Sequence, residues 1–384
     1  MSTYIPYGRQ DITDEDVQSV MNILKSDFLT QGPMVPEFEN AVAEYVGVKY
    51  ACAMNSATSA LHVACLALGL GAGDWLWTTP NTFVASANCG RYCGANVDFV
   101  DIDPKTYNMS VEALHNKLKQ AKLDNRLPKI VVPVDFAGQS CDMKAIRALA
   151  DEYHFFIVED ASHAIGGSYL GEKVGNCKYA DITIFSFHPV KIITTAEGGM
   201  ALTNDANIAE KLQLFRSHGI TRDTQLMTHI PDGDWYYQQI ELGLNYRMTE
   251  LQAALGVSQL KRIEQYVARR HQLVNRYNQL LSGLPLTLPY QHQDTYSAYH
   301  LYPIVLHDMS KRKQLFDSLR AKNIGVNVHY IPVHTQPYYQ NLGHKQGDYP
   351  QAEAYYAGAI SLPLYATLSD EQQDYVVECI RASI

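Results

Sequence analysis

The sequence predicts an α/β protein: a mostly parallel seven-stranded sheet flanked by helices, followed by a smaller C-terminal α+β region. Three observations carry this. Between residues 48 and 205, short β-rich apolar runs alternate with stretches of helical periodicity, the signature of a parallel sheet covered on both faces. A long helical pattern then runs from 249 to 281 and stops at Gly283-Leu284-Pro285, where glycine and proline end it. The chain has 384 residues, 46% of them hydrophobic, enough to bury a large core and long enough for two domains.

Taken in order, strands are expected at 48–53, 76–79, 97–100, 130–134, 155–158, 182–187 and 200–203. Helices are expected at 58–68, 111–121 and 143–152, the last opened by Asp142 as a cap. The boundary is expected near the long helix, with a large α/β domain and its N-terminal arm over 1–250 and a small α+β domain over 251–384. Within the small domain the pattern predicts a strand at 299–306, a helix at 310–322, a strand at 326–331 and a final helix at 370–381. The sequence contains neither an internal repeat nor a low-complexity tract.

A net charge of −9, from 31 basic and 40 acidic residues without a long run of either sign, argues against a nucleic-acid or anionic-membrane surface. The N-terminus is polar and no apolar stretch approaches the roughly 18 residues of a membrane span, so a cytoplasmic protein is expected. Seven cysteines, odd in number and set mostly in apolar surroundings, fit reduced core thiols. Cys89 and Cys93 have no paired Cys/His set nearby, and no metal is expected.

Two segments carry chemistry. Lys191 follows the run Phe185-Ser186-Phe187-His188-Pro189-Val190, an isolated amine at the end of a strand-like stretch, and precedes Glu197-Gly198-Gly199, where glycines permit close backbone approach. Upstream, Val158-Glu159-Asp160-Ala161-Ser162-His163 ends another apolar run on a carboxylate. An amine to hold an aldehyde and an anion to pair with a pyridine nitrogen are what a pyridoxal phosphate site needs. A carboxylate about 4 Å from such a nitrogen, at an effective dielectric near 20, stabilises its proton by roughly 4 kcal/mol. The alternatives are a surface lysine and a helix cap. Asn55-Ser56-Ala57-Thr58-Ser59-Ala60 opens an apolar helix, so its hydroxyls and N–H groups suit a phosphate, or form an ordinary Ser/Thr cap. Phe83 follows a strand, as a ring-stacking residue or as core.

At these residues the chain resembles the DegT/DnrJ/StrS family of pyridoxal-phosphate sugar aminotransferases, from Tyr7-Gly8-Arg9-Gln10 to the final helix. Glu159-Asp160-Ala161-Ser162-His163, Phe185 through Lys191, and Leu242-Gly243-Leu244-Asn245-Tyr246-Arg247-Met248-Thr249-Glu250 occur in family order and spacing. The resemblance implies a fold-type I aminotransferase that uses pyridoxal 5′-phosphate and works as a homodimer with shared active sites. It implies that Ser56, Ala57, Thr58 and Ser186 receive the phosphate, that Phe83 covers the ring and that Asp160 pairs with its nitrogen. His163 falls beside the ring hydroxyl, Lys191 holds the aldehyde, and Asn245 reaches the phosphate of the neighbouring subunit. His329-Tyr330-Ile331-Pro332-Val333-His334 resembles the segment bordering the sugar-nucleotide pocket, so His329, Tyr330 and His334, with Tyr7 and His188, are expected at the substrate.

Three features point within the family to the branch that aminates C4 of a UDP-linked 4-keto-6-deoxy-N-acetylhexosamine with L-glutamate, in pseudaminic acid biosynthesis. They are Ile192-Ile193-Thr194-Thr195-Ala196, Ser217-His218-Gly219-Ile220-Thr221-Arg222 and Trp235-Tyr236-Tyr237. The related UDP-4-keto-6-deoxy-GlcNAc, or another nucleotide 4-keto sugar, is the alternative substrate; a pyridoxal-phosphate-binding regulator without turnover is a further reading. Family dehydratases generally carry histidine at the lysine position, whereas Lys191 is retained here. Gly69-Leu70-Gly71-Ala72-Gly73 suggests a dinucleotide loop only superficially, because it follows a helix and precedes a strand.

Overall fold

A computed structural model of the chain describes residues 4–384. Its central sheet has seven strands: β1 (Tyr50–Met54), β2 (Trp75–Thr78), β3 (Asn96–Phe99), β4 (Ile130–Val132), β5 (Phe156–Asp160), β6 (Ile182–Ser186) and β7 (Gly199–Thr203). They lie in the order β1-β7-β6-β5-β4-β2-β3. All seven expected strands are present, with ends shifted by up to two residues. The β2–β3, β2–β4, β4–β5 and β5–β6 pairs are parallel, while β7 is antiparallel to both β6 and β1. Parallel neighbours need a crossover helix between them; the stretch 187–198 joining β6 to β7 contains none, so the chain turns back.

The sheet is buried on both faces because successive side chains alternate. Ile130 and Val132 meet one helical layer, which includes Ala57–Ala67, Ala85–Tyr92 and Ala206–Arg216, and Val131 meets the other. Every residue of β6 is buried. The helices expected first are found as Ala57–Ala67, Val111–Leu123 and Met143–Tyr153, and the Asp142 carboxylate accepts the Ala145 N–H at 3.2 Å as its cap.

Two expectations are corrected. The single helix at 249–281 is two, Glu250–Leu260 and Ile263–Leu280. The break falls at Arg262, whose φ is −109° and whose guanidinium is held by the buried Asp16 at 2.6 Å. Apolar periodicity continues across the break, so composition does not mark it. The second helix begins on the large core through Ile263 and Val267 and ends on another core through Leu273, Val274 and Tyr277. That second core packs against an antiparallel sheet of Leu286–Thr287, Tyr302–Leu306 and Ala359–Leu362, with Arg312–Ala321 and Asp370–Arg381 over it. The other correction concerns 326–331, which is not a strand. Its backbone makes one bridge, Asn327 to Ser361, and then runs irregularly toward the large sheet, where the Val333 N–H meets the Pro80 carbonyl at 2.9 Å. The strand expected from 299 begins at Tyr302, because the His300 N–H is already committed to the Ala137 carbonyl at 2.8 Å.

No helix among the described residues is long and apolar enough to cross a membrane. All seven cysteines are free thiols; six are buried and Cys93 is half-buried.

Candidate active site

The carboxyl ends of parallel strands open onto a common crevice, because helices leave the sheet on that side. Here β1 delivers Ser56 to it, β2 delivers Thr82 and Phe83, β5 ends on Asp160 and β6 ends on Ser186. These residues line one cavity of about 570 Å³, together with Ala57, Thr58, His163, His188 and Lys191. Its other wall comes from the N-terminal arm and the C-terminal region: Tyr7, His300, Asn327, Val328, His329 and Tyr330. Such a volume suits a cofactor and part of a substrate.

Asp160 is buried, and its carboxylate is fixed at both oxygens. Oδ2 accepts the Ser86 hydroxyl at 2.6 Å, and Oδ1 accepts the hydroxyl and the N–H of Ser162 at 2.5 and 3.2 Å. Ser86 also lies 2.8 Å from the Thr82 hydroxyl; since it donates to Asp160, it accepts from Thr82. The chain therefore presents a pre-oriented anion to the cavity. Lys191 sits on the turn after β6, with its N–H on the His188 carbonyl at 2.9 Å. Burial lowers its ammonium to about 8, while the Asp160 charge acts in the opposite sense. An amine at that value is partly neutral near pH 7.5 and can both attack and carry a proton.

Imidazoles surround the lysine. His163, His300 and His329 are buried, which drives each below the ordinary imidazole range, and the Lys191 charge adds to the effect; His329 falls to about 3. His188 is exposed at the cavity mouth and lowered, mainly by its partial burial. Tyr7 packs on His329 with ring centres 5.4 Å apart, and burial raises its hydroxyl.

The start of helix Ala57–Ala67 forms an anion cradle. The Ser56 oxygen accepts the Ser59 N–H at 3.1 Å, and the Ser59 hydroxyl donates to Asn55 at 2.6 Å. Ser56 is thus engaged within the cap. Ala57, Thr58 and Ser186 line the cavity, and the N–H groups of Ala57 and Thr58 precede any intrahelical acceptor, so they and the Thr58 and Ser186 hydroxyls are available to a ligand there. Gly199 makes the arrangement possible: a Cβ there would collide with the Ser56 carbonyl carbon and the Ala57 nitrogen. A phosphate fits this donor set, an aldehyde fits the amine of Lys191, and a protonated pyridine fits Asp160.

Two expected residues lie elsewhere. His334 is outside the cavity: it is fully buried, with Nε2 2.9 Å from a Glu353 carboxylate oxygen and its ring against Tyr349 at 4.8 Å. The turn Val333–Thr335 directs it into the interior. Asn245 is exposed and does not line the cavity of its own chain; its backbone bridges Ser217. Conversely, Ser86, Ser162, Thr82, His300 and Asn327 belong to the site without having been singled out. For Ser86 a signal existed, since Thr82 and Ser86 stand four residues apart at the start of a helix following Phe83. For His300 none did.

A half-buried amine and a strand-end anion facing one cavity, beside a helix start, on a sheet with six strands running the same way, define the class: pyridoxal-phosphate enzymes of fold type I. Residues 10–381 match the DegT/DnrJ/EryC1/StrS aminotransferase family, and the chain belongs to that family. It is 39% identical over 384 residues to the spore coat polysaccharide biosynthesis protein SpsC of Bacillus subtilis, covering 98% of this chain and 96% of SpsC. Against the UDP-4-amino-4,6-dideoxy-N-acetyl-beta-L-altrosamine transaminase of Campylobacter jejuni it is 37% identical over 387 residues, with 98% and 96% covered. Among solved structures, Helicobacter pylori PseC, an aminotransferase involved in the biosynthesis of pseudoaminic acid, superposes with a TM-score of 0.91 at 33% identity, covering 99% of each chain. The protein is a sugar aminotransferase and its cofactor is pyridoxal 5′-phosphate.

Proposed function

We propose that the protein transfers the amino group of L-glutamate to C4 of a UDP-linked 4-keto-6-deoxy-N-acetylhexosamine, UDP-2-acetamido-2,6-dideoxy-β-L-arabino-hex-4-ulose, in pseudaminic acid biosynthesis. The observation that carries the reading is that Lys191 and Asp160 line one cavity. The names of the C. jejuni and H. pylori relatives support the choice of sugar.

When bound, pyridoxal phosphate supplies an electron sink and carries the amino group between donor and acceptor. Ala57, Thr58 and Ser186 would hold its phosphate, with Ser56 shaping the cradle, and Phe83 would cover the ring. Asp160, its carboxylate oriented by Ser86 and Ser162, would pair with the ring nitrogen. Lys191 would hold the aldehyde and, with its ammonium lowered to about 8, could carry a proton at the reacting carbon. His163 would lie on the side of the ring hydroxyl. Tyr7, His188, His329 and Tyr330 border the sugar. The exposure of Asn245 supports a homodimer in which it reaches the partner subunit's phosphate.

Product analysis by mass spectrometry and NMR, offering both 4-keto epimers with glutamate, tests the substrate. The expected result is a 4-amino product from the β-L-arabino epimer. Exclusive turnover of UDP-4-keto-6-deoxy-GlcNAc would replace it with the alternative. The shared site is tested by mixing inactive Lys191→Ala and Asn245→Ala chains: hybrid dimers should recover activity, and no recovery would count against sharing.

A further inference from the structure

A hydrogen-bonded chain with a fixed direction crosses the cavity from the sheet side to the opposite wall. The backbone N–H of Ala137 donates to Nδ1 of His163 at 3.3 Å. An imidazole nitrogen that accepts carries no hydrogen, so a neutral ring must hold its single hydrogen on Nε2. The ring is neutral: it is buried, and the charge of Lys191 opposes protonation. Nε2 lies 3.1 Å from the Tyr330 hydroxyl oxygen. The imidazole therefore donates and the tyrosine oxygen accepts, which leaves the hydroxyl hydrogen of Tyr330 unable to point at His163.

Where it points is limited by the surroundings. Tyr330 lines the cavity, and no other hydrogen bond is made at its hydroxyl among the described residues. Its backbone is pinned by the N–H to Asn81 Oδ1 at 3.3 Å, and its ring lies against Phe136 at 6.3 Å, Phe83 at 6.4 Å and His329 at 4.9 Å between centres. The preceding carbonyl, of His329, accepts the Tyr355 hydroxyl at 2.9 Å. The oxygen is held in place while its hydrogen is left to the cavity.

We infer that Tyr330 is a fixed hydrogen-bond donor to a ligand oxygen bound beside Asp160 and His163, and that His163 is the positioning residue that sets the direction of that donor. The inference rests on the reading of this cavity as the cofactor and sugar site, and it changes one expectation there. The only N–H of His163 is already spent on Tyr330, so Tyr330 is the group that meets the ligand oxygen. Burial and the nearby Asp160 charge push the phenol far above its ordinary range, so it keeps its proton and stabilises negative charge rather than transferring a proton. The ligand oxygen is either the ring oxygen of the cofactor or the keto oxygen of the sugar, both hydrogen-bond acceptors.

The test compares wild type with Tyr330→Phe, which keeps the ring and removes the hydroxyl. Visible absorption against pH and pyridoxal phosphate affinity by fluorescence titration read the cofactor; steady-state kinetics with the keto sugar read the substrate. If the ring oxygen is the acceptor, the pH midpoint of the bound-cofactor band moves by about one unit and affinity falls about 10-fold. If the keto oxygen is the acceptor, kcat/KM for the sugar falls about 10- to 100-fold while the glutamate half-reaction is unchanged. No change in either readout overturns the inference. A second measurement needs no altered fold at Tyr330: ¹⁵N NMR of wild-type histidines, with His163 assigned through His163→Gln, should show Nδ1 unprotonated. A proton on Nδ1 would reverse the chain and overturn the proposal. If wild type neither binds pyridoxal phosphate nor responds to glutamate, the functional reading fails instead, so the two failures are separable.

Discussion

The two walls of the cavity are held by different means. On the sheet side, Asp160 and Ser186 end strands whose register is set along their length, Asp160 standing opposite Ile184 and Ser186 opposite Gly199. On the far side, His300 and Asn327–Tyr330 belong to irregular backbone held, apart from the Asn327–Ser361 bridge, at single points: the Tyr330 N–H on Asn81, the His329 carbonyl under the Tyr355 hydroxyl, the His300 N–H on Ala137. A ladder moves only as a whole, whereas a segment tied at single points moves at each of them. On the function proposed above, the amine and anion that carry the chemistry sit on the first wall, and the second, apart from the Tyr330 donor, serves substrate fit.

Two substitutions on the sheet wall test this most severely. Lys191→Ala removes the amine and the proton carrier together, and turnover should fall by about 10⁴-fold or more in steady-state assays. Retained turnover would take the lysine out of the mechanism. Asp160→Asn keeps shape and hydrogen bonding but deletes the charge; about 4 kcal/mol corresponds to a loss near 10³-fold in kcat. If Asp160→Asn instead changed only KM, the wall would be serving fit and the contrast would break.

The same division explains what was legible in the sequence. All seven strands show as apolar runs because both faces are covered, and Asp160 and Lys191 are legible because a strand end fixes where the following residues go. The reversed direction of β7 is less visible, since it depends on the absence of a helix between 187 and 198. On the far wall, apolar Val326 and Val328 imitate a strand, although the backbone there makes only the Asn327 bridge to Ser361. His334 stands in the same motif as His329 and Tyr330, yet the turn at Val333–Thr335 sends it to Glu353. Motif adjacency locates a residue only where regular backbone carries it. The break at Arg262 has the same origin, since a tertiary ion pair with Asp16 and not local composition marks it.

A smaller effect separates the walls kinetically. Tyr355→Phe deletes one bond to the His329 carbonyl without touching the cavity surface. A hydrogen bond of about 1 kcal/mol should translate into a rise in sugar KM of about 5- to 10-fold, with kcat within about twofold. An equal fall in kcat would mean that the far wall also governs the chemistry.

The smallest expected effects are in stability, where the walls should respond to pH with opposite signs. Behind Asp160 lie Asp135 and Glu159, both buried; burial, and for Asp135 the Glu159 charge, raises them above the ordinary carboxylate range. The Asp135 carboxylate takes the Cys141 N–H on Oδ1 at 2.8 Å, while Oδ2 finds no donor among the described residues; Glu159 takes the Thr183 hydroxyl at 2.7 Å. Between the unfolded values near 4 and the raised folded ones, the native state binds more protons than the unfolded chain. The stability from this pair is therefore complete below about pH 4 and is lost as pH rises. The far wall works the other way. His300 and His329 are lowered in the fold, so below about pH 6.5 the unfolded chain binds more protons and stability is lost as pH falls, for His329 down to about 3. Each group contributes at most about 1.4 kcal/mol per pH unit. Thermal unfolding between pH 4 and 9 should thus show a maximum, with His329→Gln flattening its acid flank and Asp135→Asn its alkaline flank, each by about 1–3 °C per pH unit. Flattening of the same flank by both variants would show that the two walls are not electrostatically distinct.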